Sequence, residues 1–280
     1  MRPWRQYANA PFLLGKDVRQ ALFRRGARGG AKQVCFVAGV QRSGTEMLMD
    51  AFERHADTYV FHERDPRAYD DYEMRQVDMV RDLVNGVAPA VVIVKALCES
   101  QDLYWMLDFF GDAKVVWMYR DYRDVINSNA RSRTFKFGGR NYIDEIVRDP
   151  RRGFWRGRGM TAETLAAIRA EYSPDIGNET ALALFWYYRN MLFFDQSFDR
   201  DDRCLLLSYE KLVADSAGVG SRVQAFAGLD PDPRIFGHVH AGSLGKNAPP
   251  KITPGAEKLC REMLARLDAA CAAKMAQRAA

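Results

Sequence analysis

Long apolar runs are missing from this sequence. Among its 280 residues no apolar stretch reaches the roughly 18 residues of a membrane span, so we expect no transmembrane helix. Residues 1–30 carry basic side chains but no continuous apolar core, so we expect no secretory signal. We predict instead that residues 1–31 form an N-terminal arm that docks on the domain or lies on a membrane surface.

Sequence patterns for disulfides and metal sites are also missing. The five cysteines include no C-x-x-C pair. An odd number without a spacing pattern indicates reduced thiols, and with them a cytoplasmic protein that could associate with membranes. The histidines His55, His62, His238 and His240 suggest no ligand cluster, so no metal is predicted.

The composition is that of one globular domain with mildly basic character. Hydrophobic residues make up 48% of the chain and charged residues 28%, which allows a full core. The length suits a single domain over 1–280. A net charge of +5 is compatible with anionic ligands but falls short of a dedicated nucleic-acid protein.

Short continuous apolar runs alternate with helical patterns along the chain. Continuous runs are typical of parallel strands covered on both faces. We therefore predict an α/β fold, a three-layer αβα arrangement with a central parallel sheet of about five strands. The strand runs are 34–38, 58–61, 91–94, 114–119 and 204–207, and the helical patterns are 46–54, 72–84, 101–110, 179–194 and 254–276.

Residues 34–50 form a P-loop-like strand–loop–helix unit. An apolar run ends in the loop GVQRSGT at 39–45, and a helical pattern follows. Backbone N–H groups of such a loop and the dipole of the following helix favour an anion, and Arg42, Ser43 and Thr45 add side-chain donors. The unit predicts a site for a phosphate or a phosphate-like group.

The loop departs from that of nucleoside triphosphatases at one point. Gly39 and Gly44 fit the G-x-x-x-x-G spacing, but Thr45 and Glu46 stand where Lys and Ser or Thr are required. The lysine that would reach the β- and γ-phosphates is missing. This argues against a magnesium-dependent triphosphatase without arguing against phosphate binding.

Two further motifs complete a pattern. Arg120 ends an apolar run and Ser128 follows eight residues later, and the dipeptide Tyr209-Glu210 follows the last run. Together with Arg42-Ser43-Gly44-Thr45, these motifs resemble the sulfotransferases that use 3′-phosphoadenosine 5′-phosphosulfate (PAPS). The resemblance covers the donor half of the chain, and it is closer to carbohydrate-acting and bacterial members than to the cytosolic small-molecule type.

The resemblance implies a donor site for PAPS, with 3′,5′-adenosine bisphosphate as product and no metal. Arg42 would stabilise the bridging oxygen, Arg120 and Ser128 would hold the 3′-phosphate, and Tyr209 would contact adenine. Lys246, in the loop at 242–251, would touch the 3′-phosphate. The donor-binding residues implied are Arg42, Ser43, Gly44, Thr45, Glu46, Arg120, Ser128, Tyr209 and Lys246.

Structural alternatives to these roles stay open. Arg120 could instead form a salt bridge to Asp121 or Asp124, and Tyr209 could simply pack at the strand end. Lys95 would stabilise a sulfate or bridging oxygen, or it could be a lysine that reaches solvent from a buried strand.

Sulfuryl transfer to a hydroxyl group needs a base that accepts its proton. Leu97 stands where the small-molecule members have a catalytic histidine, while Glu63 matches the glutamate of the carbohydrate-acting members. We predict Glu63 as the base and His62, its neighbour, as the alternative. Because side chains alternate along a strand, only one of the two should face the donor.

The acceptor is predicted only by analogy to be a carbohydrate or glycolipid with a free hydroxyl (or amine). The Arg-, Gly- and aromatic-rich stretch 131–160 is too long for an ordinary connection and could be a lid, an acceptor-binding insertion, a solvated loop or a nucleic-acid contact. Two other functions remain: a degenerate P-loop kinase or NTPase, and a non-catalytic anion- or RNA-binding protein on the same fold.

Overall fold

A central sheet of five parallel strands carries the fold. Its spatial order is β2–β5–β1–β6–β7, so β1 lies in the middle, between β5 and β6. The predicted α/β fold with about five parallel strands is confirmed. The strands are β1 (Gln33–Gly39), β2 (Thr58–Phe61), β5 (Val91–Lys95), β6 (Lys114–Tyr119) and β7 (Cys204–Ser208), and a separate hairpin pairs β3 (Tyr69–Asp70) with β4 (Glu73–Met74).

Helices cover both faces of this sheet. The computed structural model describes residues 15, 16, 18, 20, 31–132, 139–152, 154–239, 242, 245 and 248–277. Within them the helices are α1 (Thr45–Arg54), α2 (Val77–Gly86), α3 (Leu103–Phe109), α4 (Tyr122–Ala130), α5 (Arg140–Arg148), α6 (Ala162–Glu171), α7 (Asn178–Asp195), α8 (Tyr209–Ala214), α9 (Ser216–Phe226) and α10 (Pro254–Gln277), with 3₁₀ turns at Pro150–Arg152, Phe154–Arg156 and Pro233–Phe236.

Alternate residues of each strand enter opposite layers of the core. In β1, Phe36 packs in the cluster that includes α7 and α10, whereas Cys35 and Val37 pack in the cluster that includes α1 and α9. Both sets are fully buried. The continuous apolar runs therefore reflect a sheet that is covered on both faces.

The predicted helix at 72–84 is wrong in its first turn. Asp71 and Tyr72 both have positive φ angles, of 44° and 69°, and they form the two-residue turn between β3 and β4. Such a turn is typical of a tight hairpin. The backbone N–H of Met74 donates to Glu99 Oε1 at 2.6 Å, which ties the hairpin to the segment after β5. The helix therefore starts only at Val77.

The described part of 131–160 is packed against the body of the domain. Helix α5 buries Ile143 and Ile146 in the core, and Trp155 of the following 3₁₀ turn is buried as well. Residues 133–138 and 153 lie outside the described residues. The lid or acceptor-binding role of this insertion stays a prediction.

Five positions of the predicted N-terminal arm are described, and Lys16 and Gln20 contact the domain through their side chains. Lys16 donates to the carbonyl of Glu53 at 2.7 Å, and Gln20 donates to the carbonyl of Thr58 at 3.0 Å. These contacts lie where α1 ends and β2 begins. None of the helices in the described residues is both long enough and apolar enough to cross a membrane.

Candidate active site

The loop between β1 and α1 is pressed against its neighbours at both of its glycines. Gly39 has a φ of 125°, and a Cβ there would lie 2.0 Å from the carbonyl oxygen of Met118 in β6. Gly44 has a φ of 92°, and a Cβ there would lie 2.4 Å from the ring of Tyr209. Only glycine fits both the backbone conformation and the space, so the loop lies directly on β6 and on Tyr209.

A cavity of about 290 Å³ opens at the carboxyl ends of the strands, beside this loop. Ligands of open α/β folds commonly bind at this edge, where the strand order reverses. The cavity brings together residues that are far apart in sequence. Its lining residues are Gln41, Arg42, Gly44, Thr45, Glu46, Met47, Glu63, Arg64, Tyr72, Lys95, Leu97, Arg120, Ser128 and Tyr209.

Most of the residues predicted from the sequence therefore meet at one cavity. Ser43 and His62 are buried behind its wall, and they do not line it. Lys246 lies outside the described residues. Sequence reasoning did not single out Gln41, although it lies in the loop at 39–45. It missed Tyr72, which belongs to no motif and is brought to the cavity only by the tertiary fold.

One side of the cavity is built around Arg120, at the end of β6. Its Nη2 donates to Asp124 Oδ2 at 3.1 Å, and its guanidinium carbon lies 4.4 Å from the centroid of the Tyr209 ring. Trp186 of α7 donates to the carbonyl of Arg120 at 3.1 Å. The guanidinium is thus held in place by an acid and an aromatic ring. The ion pair to Asp124, weighed as an alternative from the sequence, is present.

Ser128 reaches the cavity from the last turns of helix α4. Arg42 Nε donates to Ser128 Oγ at 3.0 Å, which links the loop after β1 to α4. Ser128 and Arg120 line the same cavity although an unbroken helix separates them. The predicted pair of donor-binding residues is therefore compatible with a helical connection.

The opposite side is built around Lys95, at the end of β5. Its side chain is 3% exposed, and its ammonium nitrogen lies 2.5 Å from Glu46 Oε2 and 3.3 Å from Glu63 Oε2. Burial disfavours the ammonium ion, but Glu63 and Glu46 together raise the pKa of Lys95. Burial also raises the pKa of Glu63, and the Lys95 charge offsets only part of that rise.

His62 lies behind this side and bridges two acids of α1. Its Nε2 is 3.2 Å from Glu53 Oε2, and its Nδ1 is 3.7 Å from Glu46 Oε1. Burial opposes protonation, but the hydrogen bonds to Glu46 and Glu53 raise the pKa of His62 to about 9. For Glu46, burial opposes ionisation, but His62 and Lys95 hold the pKa of this carboxyl well below its usual range. His62 is therefore an imidazolium ion at neutral pH.

One group of possible cation ligands is present in the described part of the chain. Glu46, Asp50 and His62 each offer a ligand atom, and these atoms lie within 4.8 Å of one another. The histidines considered one by one in the sequence did not suggest this group. The ion pairs of His62 with Glu46 and Glu53 already give it a structural role, and the metal-free donor site stays a prediction.

The acids needed for a magnesium-dependent triphosphatase have other partners. Asp121 accepts the N–H of Arg123 at 2.8 Å and caps α4. Asp124 pairs with Arg120 and also accepts the N–H of Gly245 at 3.3 Å. Neither carboxylate lines the cavity among the residues described. The geometry thus adds to the sequence argument made by Thr45 and Glu46.

Comparisons with known proteins bear on the fold. No protein-family model matches the sequence, and no match was found among curated proteins. Among solved structures, the sulfotransferase domain from the curacin biosynthetic pathway superposes with a TM-score of 0.52 over 83% of this chain and 98% of that domain, at 13% identity. The chain has the sulfotransferase fold.

Other structures with the sulfotransferase fold are more distant in shape. A sulfotransferase from Alicyclobacillus acidocaldarius has a TM-score of 0.48 and 18% identity, over 87% of this chain and 95% of that one. A mouse sulfotransferase complexed with PAP has a TM-score of 0.42 and 14% identity, over 83% of this chain and 74% of that one. At these identities the likeness concerns the fold alone.

Proposed function

We propose that this protein is a PAPS-dependent sulfotransferase that transfers a sulfuryl group to an acceptor hydroxyl. The observation that carries the proposal is the cavity, where the loop after β1, two buried cations and a partly buried carboxyl meet. Arg120 and Lys95 provide the cations and Glu63 provides the carboxyl. A nucleoside triphosphatase would instead require a lysine in the loop itself.

Polar groups around the loop fit an anionic donor. The Ser43 hydroxyl and the Gln41 amide are buried and have no hydrogen-bond partner in the described residues. Buried polar groups without partners are costly, and a ligand oxygen beside the loop would satisfy them. The N–H groups at the start of α1 add further donors. We propose that Arg42, Ser43, Gly44 and Thr45 hold the 5′ end of the donor.

The other donor contacts follow from the Arg120 side. Arg120 and Ser128 would bind the 3′-phosphate through charge-assisted hydrogen bonds. Tyr209 stacks on Arg120 and packs on Gly44, so its first role is to orient these two groups, and a contact with adenine would be additional. Lys246 is kept as a proposed contact from the sequence resemblance.

When bound, PAPS supplies the sulfuryl group and leaves as the bisphosphate. Glu63 is the proposed base, because it lines the cavity and burial raises its pKa toward neutrality. His62 is the weaker candidate, since it is protonated and lies behind the wall. Lys95 and Arg42 would stabilise negative charge that develops on the oxygens of the transferred group and the leaving group.

Residues near the proposed base also bear on the class of acceptor. We propose a carbohydrate or glycolipid, because the sequence resemblance aligns Glu63 with the glutamate of carbohydrate-acting sulfotransferases and Leu97 with the histidine of the small-molecule type. Leu97 lines the cavity. The buried free thiols at all five cysteine positions support a reducing, cytoplasmic setting.

Calorimetric titration with 3′,5′-adenosine bisphosphate tests the donor site. We expect metal-independent binding that falls in Arg120→Ala by about 10- to 150-fold, the equivalent of about 1.5–3 kcal/mol for a charge-assisted contact. Arg123→Ala is the matched control, because it removes a half-exposed arginine from the adjoining helix outside the cavity.

Three results would contradict the sulfotransferase proposal. Absence of bisphosphate binding would remove the donor site, and preference for ATP with magnesium would favour the degenerate kinase. RNA binding that falls steeply with salt and does not depend on Glu63 would favour the non-catalytic alternative.

A further inference from the structure

Charged groups of alternating sign form a continuous chain from the cavity into the protein. The two carboxylates inside this chain each contact a cation on either side, and the two bridging cations each contact two carboxylates. The successive distances are 3.3, 2.5, 3.7, 3.2 and 3.6 Å. The chain runs Glu63, Lys95, Glu46, His62, Glu53 and Lys16.

Glu46 is the member of this chain whose position is unexpected. It directly follows Thr45 in the anion-binding loop, and its side chain is 52% exposed at the cavity. A carboxylate at this place repels an incoming anionic donor. It also makes the shorter of the two contacts to Lys95, 2.5 Å against 3.3 Å for Glu63. Because Glu46 weakens the binding of an anionic donor, we expect it to contribute to the site in another way.

We propose that Glu46 is a positioning residue that holds the Lys95 ammonium group, so that this cation does not close onto Glu63 and weaken it as a base. The inference rests on the proposed function, since it assigns Glu46 a part in the chemistry of that same cavity. His62 supports this role from behind, because it contacts both Glu46 and Glu53 and neutralises charge along α1.

The charge balance during transfer gives Glu46 a second task. When Glu63 accepts the proton of the acceptor hydroxyl, it becomes neutral and no longer compensates the buried Lys95. Glu46 is then the carboxylate that remains in contact with the ammonium group. A buried cation without a counter-charge is strongly disfavoured, so Glu46 keeps Lys95 charged and in place throughout the reaction.

Removal of the Glu46 charge is expected to weaken Glu63 as a base and to strengthen the binding of an anionic ligand. Lys95 moves fully onto Glu63, and a neighbouring negative charge is lost, so the pKa of Glu63 falls and the base becomes weaker. At the same time an anionic ligand meets less repulsion and binds more tightly. Among the described residues, the titratable groups that interact electrostatically with Glu63 include Lys95, Glu46, Arg64, Glu99, Tyr69 and Cys98.

The experiment compares wild type, Glu46→Gln and the control Glu262→Gln. Glu262 is an exposed acid of α10 outside the cavity, so its substitution removes the same charge elsewhere. Calorimetry with 3′,5′-adenosine bisphosphate is expected to show binding about three- to tenfold tighter in Glu46→Gln and unchanged in Glu262→Gln. A residue with a merely structural role would not tighten binding when replaced.

The second readout does not require a ligand. In protein labelled with ¹³C at glutamate carboxyl groups, the signal of Glu63 is assigned by its loss in Glu63→Gln and is then titrated with pH. The pKa of Glu63 is expected to be lower in Glu46→Gln than in wild type. An unchanged or higher pKa overturns the role of Glu46, and so does weaker bisphosphate binding.

The two readouts separate the failure of this inference from that of the proposed function. If wild type binds no bisphosphate, the donor site fails, while the carboxyl titration still tests whether Glu46 controls Glu63. If wild type binds the bisphosphate and Glu46→Gln changes neither quantity, the donor site stands and the positioning role is wrong.

Discussion

The two sides of the cavity use buried cations in different ways. On the Arg120 side, the guanidinium pairs with the carboxylate of Asp124 and lies over the aromatic ring of Tyr209. On the Lys95 side, the ammonium group lies between two carboxylates of different exposure, Glu46 and Glu63. One cation is locked in place, whereas the other is shared. The fixed guanidinium of Arg120 suits the binding of an anion. The ammonium group of Lys95, between two carboxylates, suits a site where a carboxylate gains and loses a proton.

Substitution of the proposed base should give the largest effect. We expect Glu63→Gln to reduce sulfuryl transfer by roughly 10²- to 10⁴-fold, because the amide cannot accept the hydroxyl proton. Bisphosphate binding should be kept or slightly tightened, since a negative charge is removed. The measurement is release of bisphosphate from PAPS in the presence of monosaccharide and glycolipid acceptors, with calorimetry alongside.

Glu262→Gln serves as the control for this substitution and should transfer at the wild-type rate. Full activity in Glu63→Gln would show that Glu63 is not the base and would return His62 to consideration. The Lys95 side of the cavity would then not be the place where Glu63 gains and loses a proton.

The buried imidazolium of His62 should make stability depend on pH. Its folded-state pKa of about 9 lies above the usual 6.5. The stabilisation is therefore fully present below pH 6.5 and is lost as the pH rises through 9, with a slope of at most about 1.4 kcal/mol per pH unit. Urea unfolding of wild type and His62→Gln between pH 6.5 and 9 measures this slope.

Glu99 also makes stability fall as the pH rises. The quantity to compare is therefore the difference in the pH slope of stability between wild type and His62→Gln. Burial raises the pKa of the Glu99 carboxyl to about 8, and its protonated form also stabilises the fold at lower pH. Both proteins contain Glu99. Equal slopes for wild type and His62→Gln would mean that His62 is neutral in the fold and does not balance Glu46 and Glu53.

The smallest effect is expected on the Arg120 side, from the ring that supports the guanidinium. Tyr209→Leu removes the cation–π contact, worth about 0.5–2 kcal/mol, and should weaken bisphosphate binding by about 2- to 30-fold. Tyr209→Phe keeps the ring and should bind like wild type. If Phe weakens binding as much as Leu, the hydroxyl rather than the stacked ring supports the site.

Local sequence signals were enough to predict the strands of the central sheet and the loop after β1. The apolar runs that become β1, β5 and β6 are continuous because both faces are buried, and Gly39 and Gly44 mark positions where no side chain fits. The hairpin at 69–74 was missed because its turn residues, Asp71 and Tyr72, are not the glycine or asparagine that usually signal positive φ angles.

The partners of the site residues depend on contacts that no local pattern contains. The chain through Glu46, Lys95 and His62 joins α1, β5 and the end of β2, and Glu53 adds a second acid from α1. The charges of the residues in the sequence could not show which acidic side chain contacts which cationic side chain. The sequence therefore predicted most of the site residues that line the cavity, but it did not predict the ion pairs that link Lys95, Glu46 and His62.

The assembly of the cavity from distant strands has a consequence for synthesis on the ribosome. Arg42, Lys95 and Arg120 all emerge before β7, but the ring that supports Arg120 belongs to Tyr209, directly after β7. A nascent chain that ends before this strand has the loop after β1 without the Tyr209 ring on which Gly44 rests. The proposed donor site is therefore complete only after β7 and Tyr209 have been synthesised.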